Sequence, residues 1–113
     1  MEIDAISRIC HEANRAYCVV VGDPELPGWD DLETSYREST RAGVRNALAG
    51  HTPEESHESW MKERIEAGWR LGPSLNRAAK VHPNLIPYDQ LPEVQKGKDQ
   101  LFIGIVRVLT GIA

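Results

Sequence analysis

Apolar residues recur at helical intervals along four stretches of this chain, with turn-forming residues between them. From Ile3 to Val20 the positions Ile6, Ile9, Ala13, Ala16, Tyr17 and Val20 keep the spacing of an amphipathic helix. Gly22-Asp23-Pro24 and Pro27-Gly28 then enforce a loop. A second helix fits Asp31 to Leu48, with Leu32, Tyr36, Val44 and Leu48 inward and Gly50 placed to end it. A third fits Pro53 to Ala67. Thr52 can cap it, Pro53 suits its first position, Glu55 closes a capping box and Gly68 can end it in a left-handed conformation. Trp69 to Pro87 is broken by Gly72-Pro73, His82-Pro83 and Ile86-Pro87, so it should be irregular, with short extended pieces at Trp69–Leu71 and Asn84–Ile86. A fourth helix runs from Pro92 to Leu109 on the apolar face Val94, Leu101, Phe102, Ile105, Val106 and Leu109. Gly104 in its interior costs roughly 1 kcal/mol against Ala, which implies close packing there. The pattern predicts a mainly α fold in one domain over residues 1–113, with Ile9, Val44, Leu101, Phe102 and Ile105 in the core.

Composition narrows the setting. A chain of 113 residues makes about one ordinary domain, and 41% hydrophobic content supports a core without disulfides. Cys10 and Cys18 lie roughly 12 Å apart on the first predicted helix, beyond disulfide reach. They read as small core or surface thiols in a reducing compartment. Met1-Glu2-Ile3-Asp4 is acidic and lacks an apolar signal core. The apolar run Leu101 to Ala113 is short and contains Arg107, so it is not expected to span a membrane. A soluble, cytoplasmic protein is expected. A net charge of −4 argues against general nucleic-acid binding but leaves room for a local basic pocket.

The chemistry concentrates on the third helix. His57, Trp60 and Arg64 stand at i, i+3 and i+7 and so share one face. An imidazole, a flat π-surface and a planar, always-charged guanidinium suit a flat anionic ligand such as a nucleotide. The plainer alternative makes Trp60 a core tryptophan. Trp69 and Trp29 read first as packing residues. Arg37, Arg41 and Arg45 form a stripe on the second helix; it can hold a phosphate or simply pair with Glu33 and Glu38 in solvent. Arg70, Lys80 and His82 add charged or titratable groups near the loop, His82 reading first as structural. Signals for catalysis are weak. His57-Glu58 opens like a zinc motif, but Met61 stands where the second histidine belongs. Neither a metal-ligand spacing, a phosphate-binding glycine loop nor a nucleophile elbow occurs, and no cofactor is implied.

Several segments together resemble the ryanodine receptor repeat, or RyR, domain. They are Ile9–Ala16, Arg37–Val44, His57-Glu58-Ser59-Trp60, Gly68–Pro73 and His82–Tyr88, followed by Leu91-Pro92 and Lys98-Asp99. Leu71 stands where the family commonly has a tyrosine. The resemblance implies a mainly helical domain of about four helices with small β elements. It also implies a ligand-sensing rather than catalytic family, with single copies in bacteria and phages and tandem pairs in animal channels. In those pairs, positions matching His57, Trp60 and Arg64 line an adenine-nucleotide pocket, and the intact H-x-x-W-x-x-x-R spacing carries the three residues over. Arg41, inside the family-like Ser-Thr-Arg-Ala-Gly segment, joins them as a phosphate candidate. Because the chain holds one copy, the second half of such a pocket would come from a homodimer. The leading expectation is a module that senses or sequesters a nucleotide or nucleotide-derived signal. The alternatives are a protein-interaction or structural domain and a nucleotide hydrolase.

Overall fold

The computed structural model describes residues 1–111. Ile112 and Ala113, the end of the apolar run that starts at Leu101, lie outside the described residues. Helix α1 spans Ile3–Val21 and ends on Gly22 in the left-handed region, at φ 79°. A short 3-10 turn, Trp29–Asp31, precedes α2, Thr34–Leu48. Helix α3 spans Pro53–Glu66, and α4 spans Glu93–Thr110 after a second 3-10 turn at Tyr88–Gln90. Two-residue strands β1, Arg70–Leu71, and β2, Val81–His82, pair in parallel, Arg70 with Val81 and Leu71 with His82. Over the described residues the fold is thus mainly α, with four α-helices and one small sheet. No described helix is long and apolar enough to cross a membrane.

The core lies between α1, α2 and α4. Ile6 and Cys10 from α1, Val44 and Ala47 from α2, and Ile103 and Val106 from α4 are buried together. Ile3, Leu48, Phe102, Ile105 and Leu109 pack around them, half-buried. Two expected core positions shift. Ile9 is 38% exposed, because the α1 seam follows the row Ile6–Cys10–Cys18. Ile9 instead meets Leu101 and Ile105 along a shallow apolar surface groove. On α4 the seam passes through Phe102, Ile103 and Val106, so Leu101 is only half-buried and Ile103, passed over in the apolar pattern, is fully buried. Both cysteines are free and buried, and burial pushes the Cys10 thiol up to about 12.

Local chemistry explains most element ends. The Thr52 hydroxyl accepts from the Glu55 N–H while the Glu55 carboxylate accepts from the Thr52 N–H, completing the expected capping box. Gly68, at φ 92°, follows α3 and turns the chain into β1. The second helix starts at Thr34 rather than Asp31. The Trp29 N–H donates to Glu12, its ring is buried, and Leu32 is extended with its side chain buried, so the segment is tied to α1 before α2 can begin. The second extended piece forms at Val81–His82 rather than Asn84–Ile86. Asn76 accepts from the Ala79 N–H in a tight turn, and Asn76 and Val81 exchange two backbone hydrogen bonds, which sets the register ahead of Pro83. Close packing expected at Gly104 is absent: a side chain there would meet open space. It occurs instead at Gly43, where a Cβ would lie 3.1 Å from the Phe102 ring, and at Gly97, against the Tyr17 hydroxyl.

Candidate functional site

Helix α3 lacks the apolar stripe that usually holds a helix on a domain. Only His57 is buried on it, and Met61 and Trp60 are half-buried. Polar bonds hold the helix instead. His57 Nε2 donates to the Ile86 carbonyl at 2.7 Å, Glu58 accepts from the Tyr88 N–H at 3.1 Å, and Ser59 meets the Asn46 amide at 3.4 Å. A helix fastened this way turns its His57–Trp60–Arg64 face toward a cavity of about 980 Å³. Small-molecule sites run to roughly that size. All four helices and the 69–84 segment line it.

Aromatic rings form one continuous wall. The His57 and Trp60 ring centroids are 5.4 Å apart, and the Trp60 ring meets His82 edge-on at 4.9 Å. Trp69 follows at 6.2 Å from His82. The Arg64 guanidinium lies 5.7 Å from the Trp69 ring and 5.8 Å from the Tyr36 ring on α2, a cation–π arrangement with no carboxylate ion-paired to it among the described residues. Its donors therefore stay available to an anion.

Cations outnumber carboxylates around His82, although carboxylates also line the cavity. Burial, together with Lys98, Arg64 and Arg77, pushes His82 down to about 4. The Asn84 N–H donates to His82 Nδ1 at 3.0 Å, so in the neutral ring the proton sits on Nε2. Lys98 is tied to Asp23 at 2.6 Å, and Gln95 bridges Asp23 to Asn84. Opposite polarity appears at the His57 end. Asp99 lies 3.8 Å from His57 Nδ1, and burial pushes its carboxyl up to about 7, with Lys98 opposing. Among the described residues no group of three or more potential ligands gathers as a metal site.

Residues 42–111, more than half of the chain, match the RyR domain family. The chain belongs to that family. The match includes α3, both strands and α4, and with them His57, Trp60 and Arg64. Helix α1 lies ahead of the matched span yet packs against α2 and α4, and its His11, Asn14 and Cys18 complete the cavity wall of this RyR domain.

The predicted site residues divide into two places. His57, Trp60 and Arg64 come together on the cavity as the spacing required. Arg41 sits elsewhere. Its guanidinium binds Asp4 at 2.6 Å and Glu38 at 2.6 Å and lies over the buried Trp29 ring at 5.6 Å. The Arg37–Arg41–Arg45 stripe is absent from the cavity wall, and its middle member already has two carboxylates. Sequence reasoning passed over Arg77, Lys98, Asp99 and Tyr36 as site residues. The signal for Arg77 was its place in a loop held between two strands, where binding residues concentrate. Asp99 carried a stronger one: it precedes Phe102, Ile103 and Val106 at helical spacing, a carboxylate in line with the seam of α4.

Proposed function

We propose that this RyR domain is a binding module for a nucleotide or nucleotide-derived signal. The observation that carries the reading is the inward face of α3: His57, Trp60 and Arg64 look into a cavity instead of an apolar core. A base stacks on the Trp60 ring, beside the edge-on His82 ring, a contact worth roughly 1–3 kcal/mol per base in comparable platforms. The phosphates meet Arg64 and Arg77 at the positive end. Along α3 the rise from His57 to Arg64 is about 10 Å, which matches the span from a base to its phosphates. Trp29 is buried, and Trp60 and Trp69 line the cavity, so these rings serve a ligand better than a protein partner on the outer surface. The module senses or sequesters its ligand without turning it over.

Titration of the protein with mono-, di- and triphosphates, followed by tryptophan fluorescence and thermal shift, tests the reading. Binding should strengthen with phosphate number and weaken with salt. Arg64→Lys should weaken it about tenfold or more, because an ammonium lacks the bidentate fork. Unchanged affinity in Arg64→Lys places the phosphates elsewhere, and release of inorganic phosphate from the bound triphosphate replaces the reading with a hydrolase.

A further inference from the structure

The two strands and the loop between them form a segment whose contacts are almost all its own. Of residues 70–80 only Gly72 and Leu75 are half-buried, and the rest are exposed. Its backbone bonds turn inward. The Arg70 N–H donates to the Lys80 carbonyl at 2.9 Å and the Gly72 N–H to the His82 carbonyl at 3.4 Å. Asn76 and Val81 bond each other at 2.9 Å in both directions. A side chain at Gly72 would collide with Val81, so the strands press together there with nothing between them. Among the described residues, the only hydrogen bond from residues 70–81 to anything outside the segment 70–82 runs from Lys80 Nζ to the Ala67 carbonyl, at 2.8 Å. A unit bonded to itself and barely to its surroundings keeps its shape when it moves.

This unit nevertheless covers the cavity. Leu75, Arg77 and Lys80 line it, and Leu75 is the one apolar side chain that the loop sets into it. The Arg77 charge bears on Cys18 of α1 and Tyr36 of α2 as well as on His82, so the loop reaches across to both helices. Both ends suit a hinge. Gly68 is exposed and left-handed at φ 92°, and only Lys80 comes near the place a side chain would take there. At the other end the His82 ring rests against Trp60 and Trp69, and Asn84 is held by Gln95 at 2.8 Å. We infer that residues 70–81 are a lid: they swing as one unit about an axis through Gly68 and His82, Leu75 is the latch, and the cavity opens to ligands when they lift. Such a lid acts on whatever the cavity binds, so its motion is measurable with no ligand present.

Two native thiols read that motion. Cys10 and Cys18 are free and buried, and both line the cavity, but Cys10 packs into the core cluster while Cys18 lies outside it. The free protein is exposed to a disulfide reagent such as dithiobis(nitrobenzoate) at a pH of about 8, where an accessible thiol reacts readily. Peptide mapping follows each cysteine, and hydrogen exchange follows the lid amides. Leu75→Ala removes the latch. It should speed labelling of Cys18 about tenfold or more and leave that of Cys10 within about twofold, because only the local opening has become easier. The Val81 N–H, bonded to Asn76 inside the lid, should keep the protection it has in wild type. Lys80→Asn loosens the base of the lid independently: asparagine tolerates the left-handed φ of 56° at this position and is too short to reach Ala67. It should speed Cys18 labelling in the same selective way, and it alone decides should Leu75→Ala fail to fold. Equal acceleration of both thiols means that the whole domain has loosened, and overturns the lid. Cys18 labelling that neither variant changes overturns it as well. Fast Cys18 labelling accompanied by lost protection at Val81 overturns the rigid swing, since the loop then melts instead of lifting.

Discussion

His82 and Asp99 hold opposite protonation biases on one cavity wall, and their effects on stability oppose each other. His82 is pushed down to about 4 from an ordinary 6.5, so the unfolded chain takes up its proton first as pH falls. Its contribution to stability is lost between about pH 6.5 and pH 4 on acidification. Asp99 is pushed up to about 7 from 3.8, so the folded chain keeps a proton that the unfolded chain has released. Its contribution is present below about pH 4 and lost as pH rises through 7. Each slope is about 1.4 kcal/mol per pH unit at most, and they cancel across the shared window. We expect urea titrations of Asp99→Asn to show stability rising from about pH 4 to pH 6.5, and His82→Asn to show it falling over the same range. Carboxylates held low by partners, such as Asp4 by Arg41 and Asp30 by Arg8, affect all three proteins alike and drop out of the comparison. An Asp99→Asn profile parallel to that of wild type would mean that its carboxyl ionises normally. At this scale the sequence exposed half of the site. His57, Trp60 and Arg64 follow from helical spacing on one element. Asp99, Arg77 and Tyr36 reach the same cavity from other elements, and only tertiary packing brings them there.

Helices were more legible than strands because their signals are local. The capping box of Thr52 and Glu55, the helix-ending Gly68 and the apolar periods place α1, α3 and α4 to within a residue or so. Strand β2 depends on a turn that brings Val81 back to Asn76, and Lys80 in that turn adopts φ 56°, a left-handed conformation no apolar pattern reports. Glycine roles were also hidden, since a glycine needed for close approach and one that is merely tolerated look alike in one sequence. The structure separates them on α4. Gly97 packs against Tyr17, whose hydroxyl donates to the Val94 carbonyl at 2.7 Å and pins α1 to the start of α4. Gly104 faces open space. Gly104→Ala should therefore stabilise the domain by about 0.5–1 kcal/mol through helix propensity alone. In a domain of this size that raises Tm by roughly 2–8 °C. Gly97→Ala should lower Tm, because the same propensity gain is outweighed by displacing Tyr17. Thermal melts of the two variants beside wild type decide it; a destabilised Gly104→Ala would show that the α4 surface is covered in solution.

All four helices of a single chain line the cavity, and this bears on how the domain assembles. The resemblance to paired repeats led to the expectation that a second copy would complete the site. Here α1, α2 and α4 supply walls around α3 within one chain, with the Arg64 guanidinium over the Tyr36 ring and Arg77 on the same cavity wall. On the proposed reading, one chain already offers a nucleotide a stacking ring and an arginine side chain. We expect calorimetry with a nucleoside triphosphate to give one site per chain, and the affinity to hold steady when protein is diluted from high to low micromolar. Occupied at a hundredfold excess over Kd, that site should stabilise the fold by about 2.7 kcal/mol, which makes binding visible in a melt even where fluorescence changes little. Light scattering on the same samples, with and without nucleotide, separates the two assemblies. A monomer that binds one ligand per chain makes the cavity self-sufficient. One ligand per two chains, with affinity that collapses on dilution, would mean that a partner's surface closes the open side and that the single-chain site is incomplete.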